Sequence, residues 1–521
     1  MEVQMITILW VDDEIDHLQP HIRFLEKRDY SVLKASGGRE ALELLKSKRV
    51  DLVLMDHMMV GMDGLETVYQ IRKSYKDLPV VMVTQSEEEE LMERALSGTI
   101  ADFLTKPVNP SQILLTVKKL LESGRLKINR AALEVISETE RVRSSSTSTL
   151  EDWIHLYKTR VEKDISLGGE LGERLQGLQG GSLDQVENDF SRFIEKNYRN
   201  WIASPADAPL MSHNVLARKV LPELQSGAGE VVFLVVDCMR YDQWLLMLKT
   251  FEKWFHRESD FMVAGLPSAT PYSRNSIFSG LVPRDIWRFY RTKWIEKYGY
   301  PGLNSYEATL IRDAIVRLGY SRGRNSVYTK ISNRIEGDNV RRGLSHFLKE
   351  GFMAIVVNFI DHLTHGRSEL DLIRDIAPDV PSFRRLAKEW FEHSFLLKML
   401  KTLSARGTTV IVTSDHGSML AERIAWVRGS RGMSHSVRYR FGHSLSAGDK
   451  YAVAVNRPAE WGLPDDHPRK AYLFARDNYL LMQEGISRED QLKFKSSFQH
   501  GGVSLEEMLV PCDILRPKKL R

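Results

Sequence analysis

Cysteine is nearly missing: Cys238 and Cys512 are the only two in 521 residues. Two thiols build neither a disulfide framework nor a cysteine-based zinc site, so stability has to come from buried cores. No apolar run approaches the ~20 residues of a membrane-crossing helix; the longest strand-like run is Val231 to Val236. The opening stretch MEVQMITILWVDDE lacks the basic start and cleavage site of a secretory leader and runs directly into a strand-like segment. Nothing has the form of a helix-turn-helix, which disfavours direct promoter reading. A strong charge of one sign is missing as well, since 73 Lys+Arg face 69 Asp+Glu for a net +4. With 42% hydrophobic and 27% charged residues, disordered and fibrous classes are excluded. These absences leave a soluble, cytoplasmic chain without a membrane span, of two to four domains at roughly 100–200 residues each.

The small net charge hides an asymmetry. Residues 1–120 hold 15 basic and 20 acidic side chains, a balance of −5, and the remainder carries +9. A cation fits the front, and a phosphate-rich ligand fits the rest.

Three regions follow from the patterning. In residues 1–121, apolar runs alternate with helix-period segments: Ile6–Val11, Ser31–Ala35, Val50–Met55, Val80–Thr84 and Ala101–Leu104. Such alternation predicts a doubly wound parallel sheet with helices on both faces and a site at the carboxyl ends of the strands. Residues 122–205 carry two helical stripes: Leu150, Trp153, Ile154, Tyr157, Val161, and then Val186, Phe190, Phe193, Ile194, Trp201. Thr149 opens the first as an N-cap, with Asp152 three residues on, and a helical linker bundle is expected. From residue 206 to 521 the α/β pattern returns, with apolar runs at 231–237, 352–361 and 408–415 that each end in an aspartate.

In the first region Asp12 and Asp13, Asp56, Thr84 and Lys106 all fall at strand ends. Clustered carboxylates repel one another and call for a hard divalent cation, Mg²⁺ by ligand type. A carboxylate there can act as a nucleophile toward phosphorus. In the third region Asp237, Asp361, His365, Asp415, His416 and His500 lie after strands or in glycine-containing loops. Mixed His/Asp ligation suits Zn²⁺ or Mn²⁺, and six ligands fit a metal pair. Thr270 precedes Pro271 at the start of an expected helix, where free amides and the helix dipole favour an anionic oxygen, so it is the candidate nucleophile. The stretch 423–443 holds Arg423, Arg428, Arg431, Arg438 and Arg440 with His435 and His443 and no acid; it reads as a funnel for a phosphate-rich chain or as a solvated loop. His393, beside Phe391, reads as a packed helix residue rather than a further ligand.

Residues 1–121 resemble a response-regulator receiver domain through VDDE, LVLMDHMMVGMDG, VVMVTQS and DFLTKP in order. The resemblance implies Asp56 as phospho-acceptor; Asp12, Asp13, Asp56 and Met58 as the Mg²⁺ set; Thr84 and Lys106 as phosphoryl contacts; and Phe103 as a switch aromatic. Val60 departs from the family's usual proline, and Gln85 stands where a small residue is usual, which bears on the acyl phosphate's lifetime. Residues 206–521 resemble the PglZ branch of the alkaline-phosphatase superfamily through VVDCMRYDQW, SATPYSRNSIFSG, DHLTH, TSDHG and HGGVSLEEMLVP. That resemblance implies one metal on Asp361, His365 and His500, and another on Asp237, Asp415 and His416 with Thr270 facing it. The whole chain resembles the PorX-type response regulators. The expectation is then a sensor histidine kinase as partner, a phosphorylation-dependent homodimer and control of type IX secretion. The activity expected is a zinc-dependent phosphodiesterase acting on nucleotide or oligonucleotide diesters. Two alternatives stay open: a non-enzymatic module that binds a sigma factor or secretion component, and a phosphomonoesterase or phosphomutase on the same metals.

Overall fold

The computed structural model describes residues 6–75, 78–85, 100–145, 147–179, 182–227, 229–291, 304–320, 326–369, 371–430 and 432–518. The chain divides into two compact units, Met1–Glu134 and Val135–Arg521.

The first unit has five strands: β1 (Ile6–Val11), β2 (Tyr30–Ala35), β3 (Leu52–Asp56), β4 (Val80–Thr84) and β5 (Asp102–Thr105). All pair in parallel in the order β2-β1-β3-β4-β5. Alternate side chains of one strand feed opposite faces. Leu9, Val11, Val53, Met55, Val80 and Met82 pack with Ala41, Leu45, Val68 and Ile71 on one side. On the other, Ile8, Trp10, Leu52, Leu54 and Val81 meet Ile22, Leu25, Ile113 and Val117. The strand order reverses between β1 and β3, so the crevice of the sheet opens at the ends carrying Asp12 and Asp56. The last helix, Pro110–Ser144, continues without a break through the position where the sequence pattern changes, and the boundary between the units falls inside it.

In the second unit the strands are β6 (Val231–Val236), β7 (Phe255–Val263), β8 (Val327–Ile331), β9 (Phe352–Val357), β10 (Thr409–Thr413), β11 (Met419–Ala421), β12 (Arg423–Val427), β13 (Tyr439–His443), β14 (Ala452–Val455), β15 (Lys470–Ala475), β16 (Tyr479–Gln483), β17 (Ser497–Gln499) and β18 (Leu509–Pro517). The main sheet runs β7-β18-β10-β6-β9-β8, with β10, β6, β9 and β8 parallel and β18 antiparallel to both its neighbours. The three expected aspartate-terminated strands are therefore adjacent at its centre. β6 is buried on both faces: Val232, Leu234 and Val236 enter one core, and Val231, Phe233 and Val235 the other. Each such fully buried side chain contributes about 1.5–3 kcal/mol of transfer free energy.

Both helical stripes form as expected, in Leu150–Ser166 and Ser182–Ala203. Thr149 and Asp152 close a reciprocal capping box at the first. Trp153, Tyr157, Val161, Val186, Phe190 and Ile194 share one continuous core with Val232, Leu234 and Val236 of β6. The helical segment is thus packed into the second unit rather than standing off it.

Candidate metal centres and nucleophile

In the first unit, burial at the strand ends concentrates charge. Asp12 follows β1 and Asp56 ends β3, and carboxylate oxygens of Asp12, Asp13 and Asp56 converge within 4.8 Å. Lys106 Nζ lies 3.1 Å from Asp12 Oδ2 and 3.0 Å from Asp56 Oδ1. Burial pushes the Asp56 carboxyl up; the Lys106 bond opposes this, and the Asp12 and Asp13 charges add to it. For Lys106 burial works downward, but its bonds to Asp56 and Asp12 prevail and raise it. One ammonium does not balance three carboxylates, so the donor set fits a hard dication. Met58 is exposed on the loop after β3, and only its main-chain carbonyl is a suitable donor to such an ion. Thr84 is buried at the end of β4. Phe103 on β5 pairs in register with Met82 and is partly buried against the core. Val60 and Gln85 are exposed. A Cβ at Gly64 would stand 2.1 Å from the Asp56 carbonyl oxygen, so only glycine lets the following helix seat against the end of β3.

In the second unit the six expected ligands gather into two triads: Asp237, Asp415 and His416, all buried, and Asp361, His365 and His500 nearer the surface. Asp361 and His365 face one another across a turn of the helix Phe359–Glu369, Oδ1 to Nε2 at 3.3 Å. The imidazoles of His416 and His500 stack with centroids 4.2 Å apart, which joins the triads. His416 Nδ1 is 3.0 Å from the Gly417 carbonyl and must donate to it; in the neutral ring Nε2 is then an acceptor directed into the site, toward Thr270 Oγ1. Burial first, then the neighbouring His416 and His365, hold the His500 imidazole well below its ordinary pKa, which favours the ligating form. Burial also pushes Asp237 up, against the attraction of Arg274 and together with the charge of Asp415.

Thr270 stands at the inner triad, its Oγ1 at 3.0 Å from His416 Nε2 and 3.4 Å from Asp237 Oδ1. It is the first residue of the helix Thr270–Ser279, with Ala269 as N-cap, so the hydroxyl performs no capping. Of the amides expected beside it, Pro271 has no N–H, and Tyr272 and Ser273 donate to the Ala269 carbonyl, which leaves the N–H of Thr270 itself at the helix start.

The fit to metal can be judged from charge and from unused acceptors. Arg274 is buried against Asp237, with Asp415 at 3.7 Å and Glu307 at 2.6 Å, so three carboxylates meet one guanidinium. Two negative charges remain, which one dication would balance. Asp361 Oδ1 and Asp415 Oδ2 are buried and receive no hydrogen bond. Buried lone pairs left in this way are costly unless they coordinate an ion.

Not expected from the sequence were Arg274, its partner Glu307, and Tyr328 and Asn304, which both donate to Glu307. The signal was available in the spacing: Arg274 lies four residues after Thr270, on the same face of one helix. Nor was Gly417 expected, where a Cβ would stand 1.9 Å from the Glu506 carbonyl oxygen. Two expectations are corrected. The arginines of 423–443 do not form a funnel: Arg438 is buried on Glu507 and Arg440 on the carbonyls of Leu481 and Ser434, while Arg423, partly exposed, pairs with Asp477. Arg428 is exposed with Glu484, and Arg431 lies outside the described residues. His435 and His443 are exposed. His393 is not packed; it is exposed beside Glu389, and it joins none of the metal-capable clusters among the described residues.

Three family models match in order. A response regulator receiver domain matches residues 8–118, a PorX response regulator linker domain 141–202, and a BREX system PglZ alkaline phosphatase-like domain 215–513, more than half of the chain. Among curated proteins, the transcriptional regulatory protein ZraR of Klebsiella oxytoca is 34% identical over 126 residues, 24% of this chain and 28% of that one. ResD of Bacillus subtilis is 36% identical over 114 residues, 22% of this chain and 47% of that protein. The chain thus spans less than half the length of either relative. Among solved structures, the response regulator TrrA of Thermotoga maritima in complex with Mg(2+)-BeF is 32% identical, covers 22% of this chain and all of its own, and has a TM-score of 0.21. No helix among the described residues is long and apolar enough to cross a membrane.

Proposed function

The chain belongs to the PglZ alkaline phosphatase-like family, in the PorX-type order of receiver, linker and PglZ domain, and on that premise we propose a zinc-dependent phosphodiesterase whose action is controlled by phosphorylation of Asp56. A receiver domain implies a histidine kinase as its phosphodonor. Asp12, Asp13, Asp56 and the Met58 carbonyl would hold Mg²⁺, with Thr84 and Lys106 on the phosphoryl oxygens and Phe103 reporting the change. The substrate class is a nucleotide diester, cyclic or a short linear oligonucleotide. The setting is cytoplasmic control of type IX secretion, with a homodimer formed on phosphorylation.

The observation that best supports the enzymatic half is the position of Thr270, uncapped and 3.0 Å from His416, beside two stacked triads. Asp237, Asp415 and His416 would hold one ion, and Asp361, His365 and His500 the other. A bound ion pair supplies Lewis acidity, lowering the hydroxyl's pKa and polarising the phosphoryl oxygens. Thr270 Oγ1 gives up its proton to solvent and bonds to phosphorus as the bond to the leaving alkoxide breaks in line; the alkoxide takes a proton from water, and a second water then cleaves the phosphothreonine, restoring the Thr270 hydroxyl and releasing a phosphomonoester. Arg274 fixes the Asp237 and Asp415 carboxylates, and Asn304 donates to the Thr270 carbonyl at 3.3 Å. Threonine rather than cysteine or serine at this place argues against sulfate esters and for diesters.

The test is hydrolysis of mono- and bis-(p-nitrophenyl) phosphate by zinc-loaded protein. Preference for the diester supports the reading. Preference for the monoester reassigns the site to a phosphomonoesterase. Absence of turnover with both metal sites filled favours the binding module.

A further inference from the structure

On the helix Ser182–Ala203 the apolar stripe faces the core, and a second stripe is polar. Glu187, Ser191, Glu195 and Tyr198 follow at spacings of four, four and three, so they share one face along three turns. A polar face on a linker helix is ordinarily solvated. This one is not.

Glu187 is buried, and its Oε2 accepts from the Leu505 backbone N–H at 2.9 Å. Its other oxygen takes Arg160 Nη1 at 3.2 Å, and Arg160 also pairs with Glu506. Ser191 and Glu195 both hold Arg476, whose backbone bridges to Val503. Tyr198 Oη is buried and accepts from the Leu266 N–H at 2.9 Å. Val503 lies in the loop that begins at His500, and Leu505 and Glu506 open the short helix Leu505–Met508 in which that loop ends. Leu266 opens the loop that delivers Thr270. The two loops are tied to one another where Ser268 Oγ donates to the Gly502 carbonyl at 2.7 Å. One helix face therefore contacts the backbones of both loops that carry the outer ligand and the nucleophile.

We propose that Glu187 and Tyr198, with Ser191 and Glu195 between them, are positioning residues of the candidate hydrolytic site, and that this linker helix sets the placement of His500 and Thr270. The inference rests on the diesterase reading for its catalytic readout but not for its metal readout. Glu187 acts through the Leu505 amide on the His500 loop, and Tyr198 acts through the Leu266 amide on the Thr270 loop. Displacing the helix changes metal affinity and nucleophile position together, which makes the linker a control point for the site.

The full-length protein is made as Glu187→Ala, Glu187→Gln and Tyr198→Phe. Tyr157→Phe is the control, since that linker hydroxyl is equally buried and has no hydrogen-bond partner. Zinc affinity is read by competition with a chelator, and kcat and KM are read with bis-(p-nitrophenyl) phosphate. Loss of a partner of this kind weakens metal binding or turnover by roughly 10–100-fold. Glu187→Ala is expected to weaken zinc binding by that factor. Glu187→Gln, which keeps an acceptor for Leu505, is expected to restore it. Tyr198→Phe is expected to lower kcat with KM unchanged, and Tyr157→Phe to match the parent. Zinc affinities and kcat in Glu187→Ala and Tyr198→Phe equal to those of Tyr157→Phe overturn the proposal, as does a Glu187→Gln no better than alanine. If the parent hydrolyses no diester, the diesterase reading fails alone, and zinc affinity in the Glu187 pair still decides. If Glu187→Ala does not fold, Tyr198→Phe decides through kcat, or through zinc affinity where the parent has no turnover.

Discussion

Thr270 Oγ1 and His416 Nε2 lie 3.0 Å apart, and the Gly417 carbonyl on the far side of the imidazole fixes which nitrogen faces the hydroxyl. A side chain aimed in this way, and free of capping duty, should be dispensable for folding. Thr270→Ala is expected to keep the parent's melting temperature and zinc content while losing at least ~10³-fold in turnover, the scale of a lost nucleophile. Thr270→Ser, which keeps the oxygen, is expected to recover most of it. Comparable rates in the parent and the alanine variant would remove Thr270 from the role.

Gly417 tests the joint between the His416 loop and the short helix Leu505–Met508. Its amide donates to the Glu507 carbonyl at 3.0 Å, and its missing Cβ leaves room for the Glu506 carbonyl. Gly417→Ala forces the loop and the helix apart and should cost roughly 1–3 kcal/mol, the range for overpacking a tight contact. Because His416 precedes it directly, zinc content should fall with the melting temperature. A variant with the parent's stability and full zinc occupancy would mean the contact is loose.

Much of this is legible in the sequence itself. Val231–Val236 and the runs ending at Asp361 and Asp415 are readable because buried parallel strands must be apolar on both faces, and polar residues at their ends then stand out. The stripe from Leu150 to Val161 is readable because helical spacing is local. Long-range pairing is not. Arg438 and Arg440 look like a solvated basic run because their partners lie 69 and 41 residues away. Glu187 and Glu195 look like a wet helix face for the same reason. At Thr270 the cap falls one residue earlier, on Ala269, so the threonine hydroxyl is released from the backbone and turned to His416 and Asp237.

The receiver gives a separate prediction. Asp56 lies 3.0 Å from Lys106 Nζ and shares its pocket with two further carboxylates. Asp56→Asn is expected to abolish incorporation of phosphate from acetyl phosphate in Mg²⁺, read on a phosphate-affinity gel. Asp12→Asn removes one ionic ligand but leaves the acceptor, so incorporation should persist with the Mg²⁺ requirement raised roughly tenfold. Undiminished labelling of Asp56→Asn would place the acceptor elsewhere.

In acid, the hold of the linker helix on the rest of the second unit should weaken at Asp242. Asp242 is buried between Arg240, at 3.0 Å, and Arg384, at 3.2 Å; Arg384 also reaches Asp164 of the linker helix at 2.7 Å. Burial alone would raise the Asp242 carboxyl, but the two guanidiniums prevail and hold it down to about 2. A carboxyl held below its unfolded value near 3.9 contributes its stability in full above about pH 4 and loses it as the pH falls toward 2. Asp242→Asn keeps the shape and removes the charge, leaving two buried cations short of an acceptor, so at pH 7 it should destabilise by about 3–5 kcal/mol. Between pH 4 and pH 2 the gap between parent and variant should narrow by roughly 2 kcal/mol, because the parent is then protonated at the same position. Urea unfolding of both proteins across that range checks it. A gap that stays constant with pH would mean that Asp242 contributes by packing and hydrogen-bond geometry, and that its charge carries none of the stability.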